Sequence, residues 1–223
     1  HVIAPTAKPY KDEKWPEPQK MLAAMIYRLD RDVGKILNAL DDQGLSEETI
    51  VFFCSDNGPH NQEGIDPGFF RSSGPFRGIK RDLYEGGIRS PMIVRWKGKI
   101  QPGQTSDQVW AAWDVFPTLT ELAGLKVPLG LDGESMVEPL LNGKIKKHAP
   151  LYWEFHEKGF HQAARMGDWK AVRHGVDASL ELYDLSIDPG ETQDVSSSNR
   201  RMIKKIESYL ASARSDSREW PLP

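Results

Sequence analysis

The strongest constraint on this chain is the stretch from Ile50 to Pro91. It opens with an unbroken apolar run, Ile50-Val51-Phe52-Phe53-Cys54, bounded by turn residues. Such a run predicts a short strand buried on both faces of an α/β sheet. Asp56, Asn57 and Gly58 follow at once, at the carboxyl end of that strand, where open α/β sheets bind their ligands. Asp56 and Asn57 place two hard oxygen donors on adjacent residues, which suits Ca2+ or Mg2+. Lys80 and Arg89 come back beside Gly86-Gly87, so the stretch predicts an anion site with a divalent metal at its centre. Singly, each part has a plainer reading. Asp-Asn-Gly is a common turn, Lys80 a solvated lysine, Arg89 a structural ion-pair partner, and Gly86-Gly87 a place where the backbone needs unusual dihedrals or a close approach. Their order and spacing are more specific than any one of them.

Around this centre the chain reads as alternating elements. Residues 19–40 carry apolar side chains at Leu22, Met25, Ile26, Leu29, Val33, Ile36, Leu37 and Leu40, the spacing of a helix that packs on a sheet. Gly44 is its stop signal. The prolines at 5, 9, 16 and 18 make the lead-in extended. The loop from Pro59 to Gly78 is long enough to be functional or mobile, and His60 can line a pocket there or face solvent. Met92–Trp96 predicts a second buried strand. Asp114, Pro117 and Gly124 mark the cap, first turn and end of a short helix. After Pro150 the style changes. Residues 151–155, 162–166, 169–173 and 180–185 read as strands, two of them joined by the tight turn Gly167-Asp168, which predicts an antiparallel sheet. A last helix over about 199–213 puts Ile203, Ile206 and Leu210 on one stripe.

Length and charge narrow the classes. A chain of 223 residues can bury a full core. Its net charge of −3 gives no block suited to nucleic acid, and no apolar run reaches the length of a membrane span. The single cysteine, Cys54, excludes an internal disulfide, and its apolar run predicts a buried, inert thiol. The chain opens on His1 rather than Met, which reads as a processed chain or one piece of a longer product.

The central stretch resembles the sulfatase family. Members carry S/A-D-N-G followed by G-x-K-x-x-x-x-E-G-G-x-R-x-P, and here these are Ser55–Gly58 and Gly78 to Pro91. Further phrases extend the likeness along nearly the whole chain: D-V-F-P-T-L at Asp114, L-D-G-E-S at Leu131, R-M-G-D-W-K at Arg165 and E-L-Y-D-L at Glu181. The resemblance implies the C-terminal part of an alkaline-phosphatase-like α/β sulfatase core over residues 1–148. A small antiparallel-sheet subdomain with a terminal helix would follow over 149–223. It implies hydrolysis of sulfate monoesters, of sulfated carbohydrates above all. Asp56 and Asn57 would be metal ligands to Ca2+ or Mg2+, Lys80 and His1 catalytic, and Arg89 a brace for the loop. Near the subdomain turn, His156 and His161 join His60 as substrate-binding candidates, since aromatic and histidine side chains there offer stacking faces with polar tips.

One part of the chemistry is missing. Sulfatases attack with a formylglycine made from Cys or Ser in a C/S-x-P/A-x-R segment, and neither Cys54 nor any serine sits in that pattern. The resemblance therefore places the formylglycine and the remaining metal ligands upstream of His1, in a missing N-terminal half that is this chain's principal partner. By itself the chain should be inactive. Export to a periplasmic, extracellular or lysosomal compartment is the expectation for the whole protein. Two other readings compete: a related metal-dependent phosphatase or phosphonate hydrolase, and a noncatalytic glycan-binding module.

Overall fold

The structure, a computed structural model, describes residues 6–157 and 159–222. It divides into two compact units, residues 1–97 and 98–223.

The first unit holds helix α1 (Glu17–Asp42), strand β1 (Val51–Cys54), the one-turn helix α2 (Glu85–Ile88) and strand β2 (Met92–Arg95). Pro16 and Pro18 start α1, where a missing N–H costs nothing. Gly44, with φ +68°, ends it in the left-handed region. The end of α1 is then pinned to β2: Asp41 accepts from Ser46 Oγ (2.6 Å) and Lys97 Nζ (3.1 Å) and pairs with Arg95 (3.3 Å). β1 and β2 form a two-stranded antiparallel sheet, with Val51 opposite Arg95 and Cys54 opposite Met92.

Here two expectations are corrected. β1 and β2 are half-buried to exposed rather than buried on both faces, with Ile93 62% and Phe53 36% exposed. Cys54 is an exposed free thiol, not a buried one. Burial on both faces needs a helix layer above and below, and β1 among the described residues pairs with β2 alone. The same lack of cover leaves Met25, Ile26, Leu29 and Ile36 of α1 exposed, although their helical spacing is as read. The long loop after β1 is ordered by rings: Trp15 meets Phe69 and Phe70 edge-on (6.1 and 5.1 Å) and stacks on Tyr10 (5.6 Å).

The second unit holds α3 (Val115–Leu122), α4 (Val137–Asn142), strands β3 (Leu151–Phe155), β4 (His161–Met166), β5 (Trp169–His174) and β6 (Glu181–Asp184), and helix α5 (Arg200–Ala213). The four strands form an antiparallel meander in the order β3-β4-β5-β6. Gly167, φ +63°, makes the two-residue β4–β5 turn, so Met166 faces Trp169 across it. α5 lays Ile206 and Leu210 on Ala164, Ala171, Leu180 and Leu182, all buried, with Ile203 against the cluster. Lys170 is fully buried beneath the sheet, 3.7 Å from the equally buried Glu191 and over the Trp153 ring (5.4 Å).

Asp114 takes a different role from the helix cap its position suggested. It stands before α3 but makes no side-chain cap bond. Fully buried, it accepts instead from the N–H of Ala111 (2.7 Å) and of Glu134 (2.8 Å), and lies 2.8 Å from His148 Nε2. One carboxylate thus ties the α3 start, the 131–135 turn and the entry to β3.

Candidate active-site half

The turn after β1 and the loop before β2 are joined backbone to backbone. Gly58 N–H donates to Gly87 O (2.8 Å) and Lys80 N–H to Pro59 O (2.8 Å), while Gly86 N–H donates to Arg77 O (2.7 Å). The glycines are there because these segments leave no room for side chains. A Cβ on Gly58 would collide with Gly86 O and lie 2.9 Å from Gly87 Cα. On Gly86 it would meet Arg77 O at 2.5 Å, and on Gly87 it would meet Ile79 O at 2.6 Å. The sequence pattern Asn-Gly with Glu-Gly-Gly is therefore the signature of a close crossing, and the crossing brings the Lys80 loop against the Asp56-Asn57 turn.

The side chains that carry chemistry sit on the outside of this clamp. Asp56 is exposed and makes no hydrogen bond or ion pair among the described residues. Asn57 Nδ2 donates to Gly58 O (2.9 Å), which leaves its Oδ1 as the end available to a cation. A carboxylate and an amide oxygen on adjacent residues fit a hard divalent ion. They supply only part of the roughly six to eight oxygens that calcium takes, and no cluster of three or more His, Cys, Asp or Glu side chains occurs among the described residues. The donor set fits such an ion, with the rest of its shell coming from outside these residues. Lys80 is half-buried, and its ammonium has no ion pair among the described residues. Arg89 stacks on Phe76 (4.4 Å) and lies 3.7 Å from the buried Glu85. His60 Nδ1 accepts the Gln62 N–H (3.1 Å), which orients the ring within its loop. His1 lies outside the described residues.

The two other histidines proposed for substrate lie in the second unit, at the β3–β4 end. His156 Nε2 is 2.9 Å from Glu154 Oε1, and its ring is edge-on to Phe160 (5.4 Å) and near Trp220 (5.5 Å). Glu154 also accepts from Tyr152 Oη and from Arg214 Nε (2.9 Å). Burial opposes its ionisation, but the bonds from His156, Tyr152 and Arg214 outweigh that and hold the carboxyl below its usual range. Tyr152 shows the reverse: burial first, then the Glu154 carboxylate, push its phenol up to about 12. His161 meets His174 at 2.8 Å between their Nδ1 atoms. His174, Trp220 and Arg214 were not singled out from sequence. For His174 a signal existed: counting outward from the Gly167-Asp168 turn pairs 161 with 174. Trp153 packs instead on Trp113 (6.0 Å), and Phe160 is buried.

The fold and the clamp define an α/β protein with a hard-cation and lysine half-site. Comparison with known proteins then gives the family. The sulfatase family profile matches residues 8–125, and the profile described as N-sulphoglucosamine sulphohydrolase, C-terminal, matches residues 77–216. The N-acetylgalactosamine-6-O-sulfatase of Bacteroides thetaiotaomicron is 30% identical over 214 residues, which are 85% of this chain and 41% of that protein. The steryl-sulfatase of Mus musculus is 37% identical over 152 residues, 66% of this chain and 24% of that protein. Among solved structures, Ps i-CgsB in complex with k-i-k-neocarrahexaose superposes with a TM-score of 0.78 at 29% identity, covering 91% of this chain and 45% of that one. The chain belongs to the sulfatase family, with that family's alkaline-phosphatase-like fold. It spans less than half the length of these relatives.

Proposed function

We propose that this chain supplies the C-terminal part of a sulfatase that hydrolyses sulfate monoesters of carbohydrates. The observation that carries the reading is the clamp: two backbone bonds, Gly58 to Gly87 and Lys80 to Pro59, set a lysine loop against an Asp-Asn turn. In this reading Asp56 and Asn57 hold a divalent ion, Ca2+ or Mg2+, which would polarise a sulfate oxygen. Lys80 places a second positive charge where negative charge builds on the departing sulfate. His1 contacts the sulfate or gives a proton to the leaving oxygen, and His60 lines the same side. The nucleophile would be a formylglycine in sequence upstream of His1. The chain's partner is therefore that N-terminal half, which also covers the apolar side chains left exposed on α1 and β2. The complete protein divides functionally into core, residues 1–148 here, and a subdomain, 149–223, whose His156 and His161 face the sugar. It works in an exported compartment.

The sugar preference leans on the two relatives whose names or ligands are carbohydrates. Release of sulfate by the complete polypeptide, from an aryl sulfate and a panel of sulfated sugars, tests the reading. Turnover should require conversion of the upstream Cys or Ser, and residues 1–223 alone should give none. Cleavage of phosphate esters with no cleavage of sulfates would overturn it.

A further inference from the structure

α5 begins against the usual electrostatics of a helix. Its first turn and a half carries Arg200, Arg201, Lys204 and Lys205, with no acidic residue in the first turn and no side-chain cap. Cations are favoured at the other end of a helix, and like charges four residues apart repel. Arg200 with Lys204, and Arg201 with Lys205, are such pairs. Among the described residues none of the four forms an ion pair. Asp194, the carboxylate that precedes the helix, is already engaged by the N–H groups of Leu182 and Ser196. The chain as a whole is acidic, net −3, so this cluster is a local reversal of sign rather than a general trend.

The four cations border two open cavities. One, of about 350 Å3, is lined by Arg200, Lys204 and the serines 196 and 197; the other, of about 700 Å3, by Arg200, Arg201, Lys205 and Trp169. Glu207 is the one acid lining either cavity. Arg200 borders both, so the two form neighbouring concavities around one guanidinium. Serine hydroxyls and guanidinium donors are the groups that bind oxyanions. Trp169 adds an indole, and a flat aromatic face beside cations accepts a pyranose ring as well as its charged substituent.

From this we infer that the N-terminal end of α5 is a second binding site, for sulfate groups on a saccharide chain. It would hold a sulfated polymer at a distance along the chain from the ester being cleaved. The choice of a saccharide as ligand rests on the proposed function; the preference for oxyanions rests on the cluster itself.

The test uses the complete protein and two exposed double substitutions, R200S/K204S and R201S/K205S, each checked by denaturation midpoint. Affinity is measured by calorimetry for a sulfated oligosaccharide, for the same oligosaccharide desulfated, and for inorganic sulfate and phosphate. The wild type should bind the sulfated chain at least tenfold more tightly than the desulfated one, with affinity falling as salt rises. Each double variant should lose about tenfold and show a shallower salt dependence. KM for the polymer should rise in the variants while turnover of a small monosulfated aryl ester stays unchanged. Equal affinity of variants and wild type for the sulfated chain would overturn the site. So would inorganic sulfate or phosphate binding as tightly as the oligosaccharide, which would mark a simple anion site. Aryl sulfate turnover reports on the proposed function alone, so loss of either inference can be told from loss of the other.

Discussion

Substituting Gly58 by alanine should destabilise the clamp more than any other single methyl in the first unit. Gly58 is buried, and an added Cβ would strike Gly86 O and lie 2.9 Å from Gly87 Cα. Ordinary carbon–carbon contact is about 3.5 Å or more, so the two backbones must part by roughly half an ångström. Both obstacles are main chain and neither can rotate away. Overpacking of this kind costs about 1–3 kcal/mol. The same movement stretches the bond from Gly58 N–H to Gly87 O, whose loss in a buried place adds about 1–3 kcal/mol. Against this, alanine restricts the unfolded chain and returns about 0.4–1 kcal/mol. The net expectation is a loss of about 2–4 kcal/mol. Gly34, inside α1 with nothing within 4 Å of an added Cβ, is the internal control. Gly34→Ala should stabilise by about 0.5–1 kcal/mol. Urea denaturation of the complete enzyme, comparing midpoints at equal slope, measures both. If Gly58→Ala leaves the midpoint where it was, the crossing is not held by backbone contact and the explanation of the Gly-rich motif is wrong.

Other outcomes follow from the same contacts. Asp114→Ala leaves the Ala111 and Glu134 N–H groups and His148 without their shared acceptor, and should cost about 3–5 kcal/mol by denaturation. Lys170→Ala removes one member of a buried pair with Glu191 and should cost a similar amount, about 3–5 kcal/mol. The Ser46 hydroxyl, then Lys97, draw the Asp41 carboxyl down to about 2, so its contribution is present at neutral pH and lost as pH falls from the ordinary carboxylate range toward 2; Asp41→Asn should flatten the stability profile over that window. In the complete enzyme Lys80→Ala should lower kcat/KM on an aryl sulfate by about 10²-fold or more, the scale for one lost charge-stabilising contact. Asp56→Ala should abolish metal binding by calorimetry while shifting the denaturation midpoint by no more than about 0.5 kcal/mol, as for an exposed side chain.

The antiparallel meander and its helix were legible because they obey local rules within short spans. A Gly-Asp turn fixes register, and the stripe Ile203, Ile206, Leu210 fixes the face of α5 that meets the sheet. The exposure of β1, β2 and α1 was not legible. Apolar runs report which side chains want cover, and nothing in a run says whether the covering layers belong to the same stretch of chain. Asp114 failed for a related reason. Its cap position is a local fact, while Glu134 and His148, its partners, lie 20 and 34 residues away and carry no periodic signal. The glycines were legible only as a need for close approach. What approached them, backbone from residues 77–87, took the fold to reveal.

Scaffold and chemistry are thus carried by different atoms within one motif. Gly58, Gly86, Gly87 and Glu85 are buried and shape the crossing, whereas Asp56 is exposed and Lys80 half-buried, their charged ends uncommitted to the scaffold among the described residues. A substitution at a glycine should therefore move stability and drag the site with it. At Asp56 or Lys80 it should move binding or rate and leave stability in place. That separation has a physical source. A carboxylate or ammonium engaged in holding the fold would need compensation whenever a ligand claimed it. A main-chain crossing that needs no side chain leaves both groups available to metal and sulfate at no cost to the clamp.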